Sequence, residues 1–247
     1  MAELIYGLHA VQAVLAKRPT DIRRAWVLKG REDQSLTTIL ADLHSYGAAV
    51  EFCARNRLDE KAEGNHQGIV VEVKSQAALA EDWLWQKLDQ LETEGEAPFL
   101  LILDQVQDPH NLGACLRSAD AVGVHAVIAP KDRSAALTGT ARKVACGAAE
   151  TVPFVQVTNL ARVMRGLQER HVWLVGLAGE AEQNLWQAKL DGPIAVVMGA
   201  EGKGMRRLTR EHCDLLAALP MHGLVDSLNV SVTTGVVLYE VLRQRQA

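Results

Sequence analysis

The chain has 247 residues, of which 48% are hydrophobic and 23% charged, an ordinary globular composition with length enough for one large or two modest domains. No run of eighteen apolar residues occurs, so no membrane-spanning helix is expected. The formal net charge of −4 neither excludes nor suggests a nucleic-acid partner, because its placement along the chain decides that.

Residues 1–74 read as a small α/β domain. Leu4–Ala16 has helical apolar spacing, and Arg24–Leu28 and Ala48–Cys53 read as strands around a helical segment, Gln34–Tyr46. Gly68–Val73 reads as a further strand. The opening Met1-Ala2-Glu3-Leu4-Ile5-Tyr6-Gly7 has no basic start followed by an apolar core, so no secretory signal is expected.

Residues 75–97 carry one lysine against six acids, whereas residues 1–75 hold 10 basic and 10 acidic residues and residues 98–247 hold 15 and 14. The acidity is therefore confined to this middle stretch. It reads as a linker with a short helix of its own, since Leu84, Leu88 and Leu91 share one face beside Trp83 and Trp85.

Residues 98–247 read as a parallel sheet covered on both sides. Phe99–Leu103, Ala126–Ala129, Val172–Val175, Ile194–Met198 and Leu215–Leu219 are apolar runs of the kind buried on both faces. Leu112–Val122 and Leu160–Glu169 are helical stretches between them, and Val230–Gln246 is a closing helix. No internal repeat is visible. Cys53, Cys115, Cys146 and Cys213 form no Cys-x-x-Cys pair and have no histidine cluster beside them, so buried reduced thiols, no metal and a cytoplasmic setting are expected.

Parallel sheets bind ligands at the carboxyl ends of their strands, so the loops there carry the functional reading. No G-x-G-x-x-G, no P-loop and no G-x-S-x-G follows any strand. Instead, Ile194–Met198 runs into Gly199-Ala200-Glu201-Gly202-Lys203-Gly204, whose three glycines permit close backbone approach or positive φ. Leu215–Leu219 runs into Pro220–Ser231 and then the last helix. Two such loops can clasp one small molecule between them.

Three segments in order carry a family resemblance. They are Asp108-Pro109-His110-Asn111-Leu112-Gly113 with Arg117-Ser118-Ala119, then Val197–Met205, then Leu219-Pro220-Met221 with Ser227-Leu228-Asn229-Val230-Ser231. Together they resemble the SpoU (SPOUT) family of RNA ribose 2′-O-methyltransferases. Tyr6–Val11 and His66-Gln67-Gly68 extend the likeness over nearly the whole chain, toward the bacterial enzymes acting on a guanosine of 23S (large-subunit) rRNA. Lys203 and His222–Asp226 depart from the usual form. The resemblance implies a C-terminal deep trefoil knot, S-adenosylmethionine as methyl donor, a homodimer, and an N-terminal RNA-binding domain like ribosomal protein L30e.

The same resemblance marks Asn111, Arg117, Glu201, Ser227 and Asn229 as catalytic. It marks Leu177, Met198, Gly199, Gly202, Leu219, Met221 and Leu228 as donor-binding. A guanidinium is effectively always protonated, so Arg117 suits a phosphate or the substrate ribose better than the role of general base. Glu201 either accepts the hydroxyl proton or holds the ribose, and a substrate phosphate is another acceptor. Asn111 orients Glu201 or Arg117, or closes an Asx turn; Ser227 and Asn229 hold the methionine tail, cap the last helix, or both. His9, Lys131, Arg133, Arg142 and Lys143, with Arg206, Arg207 and Arg210, are the candidate RNA contacts. With three Phe and three Tyr, shape and backbone contacts suit folded RNA better than stacking. Transfer RNA as substrate, or RNA binding without catalysis, are the competing readings.

Overall fold

A computed structural model describes residues 2–31, 33–62, 64–74 and 78–247. The first part runs β1 (Ala2–Tyr6), α1 (Leu8–Lys17), β2 (Ile22–Leu28), α2 (Gln34–Ser45), β3 (Ala49–Cys53), α3 (Arg55–Asp59) and β4 (Ile69–Lys74). Its sheet has the order β1-β4-β2-β3, and the β2/β3 pair is parallel while the other two are antiparallel. The expected single helix over Leu4–Ala16 is two elements. Ala2–Tyr6 pairs with Val70–Lys74 of β4, and Gly7, at φ 94°, turns the chain into α1. Helical spacing of apolar residues is overridden there by an available sheet edge.

The second part begins with α4 (Glu81–Glu94) and continues β5 (Phe99–Asp104), α5 (Pro109–Val122), β6 (Ala126–Pro130), α6 (Gly139–Val144), α7 (Ala148–Thr151), β7 (Phe154–Val157), α8 (Leu160–Glu169), β8 (Trp173–Leu177), β9 (Gln183–Asn184), β10 (Ile194–Gly199), α9 (Arg207–Glu211), β11 (Leu215–Ala218) and α10 (Val230–Arg245). The seven strands are all parallel in the order β7-β6-β5-β10-β8-β11-β9. Successive residues point to opposite faces of a strand. Accordingly Leu101, Leu103, Val196 and Met198 pack into one core with α5 and α10, while Leu100, Ile102, Ala195 and Val197 pack into another with α4 and α8.

The acidic stretch is not a free linker. Its first residues, Ser75–Ala77, lie outside the described residues, but Leu79 pairs with the backbone of β7 and α4 buries Leu84, Leu88 and Leu91 against the sheet. Two of its six acids pair with arginines: Glu81 with Arg162 at 2.6 Å and Asp89 with Arg170 at 2.5 Å. Gly166 of α8 leaves room for Trp85, whose ring carbon would stand 2.8 Å from any Cβ there. The two ion pairs tie α4 to α8 and the residue that follows it.

The two parts meet in a close seam. Gly147 has φ 98°, and a Cβ there would lie 2.9 Å from that of Ala13 on α1. Arg18, at the end of α1, donates to Glu150 of α7 at 2.7 Å and to Glu3 of β1 at 3.1 Å. Arg142 of α6 reaches the same carboxylates at 2.5 Å and 3.4 Å. Arg18, Arg142 and Glu150 are each less than a tenth exposed, so four charges cancel inside the seam. Arg142 is thereby removed from the expected RNA contacts: its guanidinium is structural.

Candidate active site

The site forms where β5 and β10 end side by side, with Gly199 in register with Asp104. Asp104 is fully buried, and Arg206 satisfies it with its backbone N–H at 2.8 Å and its side-chain Nε and Nη2 at 2.7 Å each. This clamp draws the chain after β10 back over its own strand end. Gly199 has no room for a side chain, because a Cβ would stand 2.2 Å from the carbonyl carbon of Gly204 and 2.3 Å from the nitrogen of Met205. Ala200 and Gly204 exchange backbone hydrogen bonds at 3.1 and 2.8 Å, and Gly202 and Gly204 take positive φ to close the turn. Glu201 is left exposed at the tip. Of the close approach or positive φ expected of these glycines, Gly199 serves the first, and the backbone that approaches it is that of its own loop.

Across from this loop, Asp108 caps α5 by accepting the N–H of His110 at 2.9 Å, and Pro109 occupies the first helical position. Asn111 thus sits in the first turn. Its amide nitrogen donates to Glu201 at 3.4 Å, and its amide oxygen accepts from Asn229 Nδ2 at 3.0 Å. Asn229 caps α10, its oxygen accepting from Ser231 N at 2.9 Å and Ser231 Oγ at 2.6 Å. One asparagine therefore ties together three segments that lie far apart in sequence. The bonded chain ends on a carboxylate that borders a cavity of about 540 Å³, within the usual size of a ligand site. Arg133 and Lys203 stand on the cavity wall with Asp108 and Gln107.

Not every expected residue joins this group. Arg117 lies further along α5, exposed, with Nη1 3.6 Å from Cys146 Sγ, and it has no bond to Asn111, Glu201 or Asn229. Ser227 is exposed and donates only to its neighbour Asp226 at 3.1 Å. Met198 is buried in the core, so only its backbone faces the loops. Leu177 and Leu219 are half-buried at the ends of β8 and β11 and pack on the core that includes α10. Met221 is half-buried, whereas Leu228 is 41% exposed. The loops after β8 and β11 approach each other where Gly179 faces the carbonyl oxygen of Asp226.

Of the candidate RNA contacts, Arg133 lines the cavity, Lys131 is exposed at the end of β6, and His9 and Lys143 line a cleft in the domain seam. Arg206 is committed to Asp104, Arg207 pairs with Glu211 and Arg210 with Glu180, so each arginine on or beside α9 already has an acidic partner although none is buried. The cysteines also differ from expectation: Cys53 and Cys115 are buried, Cys213 is half-buried and Cys146 is exposed. Burial pushes the Cys115 thiol up to about 11 and, with Asp214 nearby, the Cys213 thiol up to about 12. The Asp104–Arg206 clamp had no signal in the motifs beyond an acid at a strand end.

The SpoU rRNA Methylase family matches residues 98–239, and a family described as RNA 2'-O ribose methyltransferase substrate binding matches residues 4–78. The 23S rRNA (guanosine-2'-O-)-methyltransferase RlmB of Pectobacterium atrosepticum is 58% identical over 246 residues, covering 99% of each chain. The protein of that name from Escherichia coli K12 is also 58% identical over 246 residues, covering 99% of this chain and 100% of its own. Among solved structures, the SpoU methyltransferase AviRb from Streptomyces viridochromogenes, in complex with AdoMet, superposes with a TM-score of 0.80 at 22% identity, covering 99% of this chain and 91% of its own. A crystal structure of an RNA 2'-O ribose methyltransferase gives 0.79 at 25% identity, covering 100% of this chain and 90% of its own.

Proposed function

From the premise that this chain belongs to the SpoU rRNA methylase family, we propose that it transfers a methyl group from S-adenosylmethionine to the ribose 2′-hydroxyl of a guanosine in 23S rRNA. The observation that carries the reading is the bonded chain Asn229–Asn111–Glu201, which joins the three motif loops at one cavity. The high full-length identity to proteins named for that reaction supports the substrate.

The donor supplies an activated methyl group on a sulfonium sulfur. The protein's work is alignment and proton removal. We assign Glu201 to take the proton of the 2′-hydroxyl, with Asn111 holding its carboxylate in place. Asn229 fixes Asn111 and caps α10, so the pair moves as a unit with the last helix. The loops after β8, β10 and β11 would hold the donor. Leu177, Leu219, Met221 and Leu228 would offer apolar surface to adenine and ribose, and the Gly199–Gly204 turn would offer backbone groups. The half-buried state of Leu177, Leu219 and Met221 fits such a group.

Two structural readings accompany this one. We read the insertion of β10 between β5 and β8 as part of a trefoil knot, and the first domain as L30e-like. We read the protein as a cytoplasmic homodimer. Val232, Val236 and Tyr239 are 52%, 36% and 54% exposed along one stripe of α10, and Leu224 and Val225 lie exposed in the preceding loop. A second copy is the occupant we assign, and Tyr239→Glu should turn a dimer into a monomer by light scattering.

The purified protein, incubated with labelled S-adenosylmethionine and separate pools of 23S rRNA and tRNA, should mark one guanosine ribose in 23S rRNA. Labelling confined to tRNA would replace the substrate. No label in either pool would leave an RNA-binding protein without this activity.

A further inference from the structure

The seam between the domains holds a cleft of about 150 Å³, the liquid volume of about five water molecules. Tyr6, His9, Asn65 and Gln67 line it from the first domain, and Lys143 and Cys146 from the second. Among the described residues no carboxylate lines it, in a chain whose net charge is −4. Its neighbours Arg18 and Arg142 are consumed by Glu3 and Glu150 in the seam. Lys143 has no such partner among the described residues, and its ammonium stands 5.6 Å from the centroid of the Tyr6 ring. Arg117 stands beside the cleft, donating from Nη1 to Cys146 Sγ at 3.6 Å. That weak contact leaves the rest of its fork unused. The first turn of α1, the positive end of that helix, forms part of the wall.

We propose that this cleft is a second RNA subsite, which grips a backbone phosphate of the strand whose ribose enters the active site. The inference rests on the reading above that the substrate is RNA. Its donors are a lysine, a guanidinium fork, two side-chain amides and an imidazole, and they suit a phosphate oxygen rather than a base edge. The placement suits one continuous strand. Arg117 and Asn111 are six residues apart on α5, about 9 Å along its axis at about 1.5 Å per residue. Both domains must be docked for the cleft to exist, so the buried charges of the seam hold this subsite at a fixed distance from Glu201.

The test uses the full-length protein and transcribed 23S rRNA, with binding measured against salt concentration. Lys143→Gln should weaken binding by about fivefold near physiological salt and lower the slope of log affinity against log salt by about one. Lys143→Arg should keep both close to the unaltered protein. Saturating rRNA should slow iodoacetamide alkylation of Cys146 by about fivefold or more, and S-adenosylmethionine alone should not. An unchanged slope in Lys143→Gln, or equal alkylation of Cys146 with rRNA bound, overturns the subsite while methylation by the unaltered protein would still uphold the function. An unaltered protein that binds no rRNA overturns both.

Discussion

The mouth of the parallel sheet and the seam between the domains are both polar and both depend on glycines, yet they handle charge in opposite ways. At the mouth, neutral amides of Asn111 and Asn229 lead outward to one exposed carboxylate, Glu201. At the seam, Arg18, Arg142, Glu3 and Glu150 come from four elements and cancel one another out of solvent. Exposed charge beside a cavity stays available for chemistry. Buried, mutually paired charge fixes geometry, because moving any member strands the others. The cations left over, Lys143 and Arg117, mark where the seam itself turns toward function.

Removal of one seam acid should have the largest effect. Glu150→Ala leaves Arg18 and Arg142 sharing Glu3, and should cost about 3–5 kcal/mol of stability. Urea unfolding followed by tryptophan fluorescence measures it. A cost below about 1 kcal/mol would mean the seam charges are solvated in practice and do not fix the domains. Gly199→Ala comes next. Its Cβ would meet the Gly204–Met205 backbone at 2.2–2.3 Å, so the turn carrying Glu201 must open. Methyl transfer should fall by about 100-fold or more, equivalent to about 3 kcal/mol of overpacking, and the melting temperature of the donor-free protein should drop. Loss of donor affinity with unchanged melting would mean instead that a side chain at Gly199 meets the donor and not the loop.

How much of each region could be read in the sequence follows from the same contrast. The mouth is made of three short contiguous stretches, so its residue types announced the loops, and the apolar runs of β5, β6, β8, β10 and β11 announced the sheet. Asn111, Glu201 and Asn229, all named in the motifs, stand bonded together, while Arg117, on another face of α5, and Ser227 stand apart. The seam has no such signature. Arg142 looked like any surface arginine near a site, and only the fold brings it to Glu3, 139 positions earlier. β1 carries no strand signature, because Leu4 and Ile5 fit a helical face until β4 offers them an edge. β7 and the short helices α6, α7 and α9 carry too few residues for a period to show.

A smaller effect sharpens the mouth itself. Asn111→Ala removes the amide between Glu201 and Asn229, and should lower the turnover rate about 10- to 100-fold, equivalent to about 1.4–2.7 kcal/mol, with little change in donor affinity. Asn111→Asp is more telling. It sets a carboxylate where the amide now stands, 3.4 Å from Glu201, and like charge raises a carboxyl pKa. If deprotonated Glu201 takes the ribose proton, the acid limb of the pH–rate profile must move to higher pH. An unmoved limb assigns the proton to another group.

Each region carries its own thiol, which reports on it without any change in the fold. Cys213 lies near the base of the mouth, where Gly176 leaves room for its sulfur, and it donates to the carbonyl of Thr209 at 3.4 Å. Burial and Asp214 hold its thiol up at about 12, and burial outweighs the lowering contact with Thr234 to leave the Cys115 thiol at about 11. Burial, followed by Glu51, also raises Cys53. Because the thiolate is the reactive form, these three should be silent toward iodoacetamide at pH 8, and exposed Cys146 at the seam should react alone. Mass spectrometry of the native protein should find one fast adduct, absent in Cys146→Ser, with three more after denaturation. A fast adduct at Cys213 would show that the loops of the mouth open readily without substrate, and the mouth, not the seam, would then be the mobile half of the molecule.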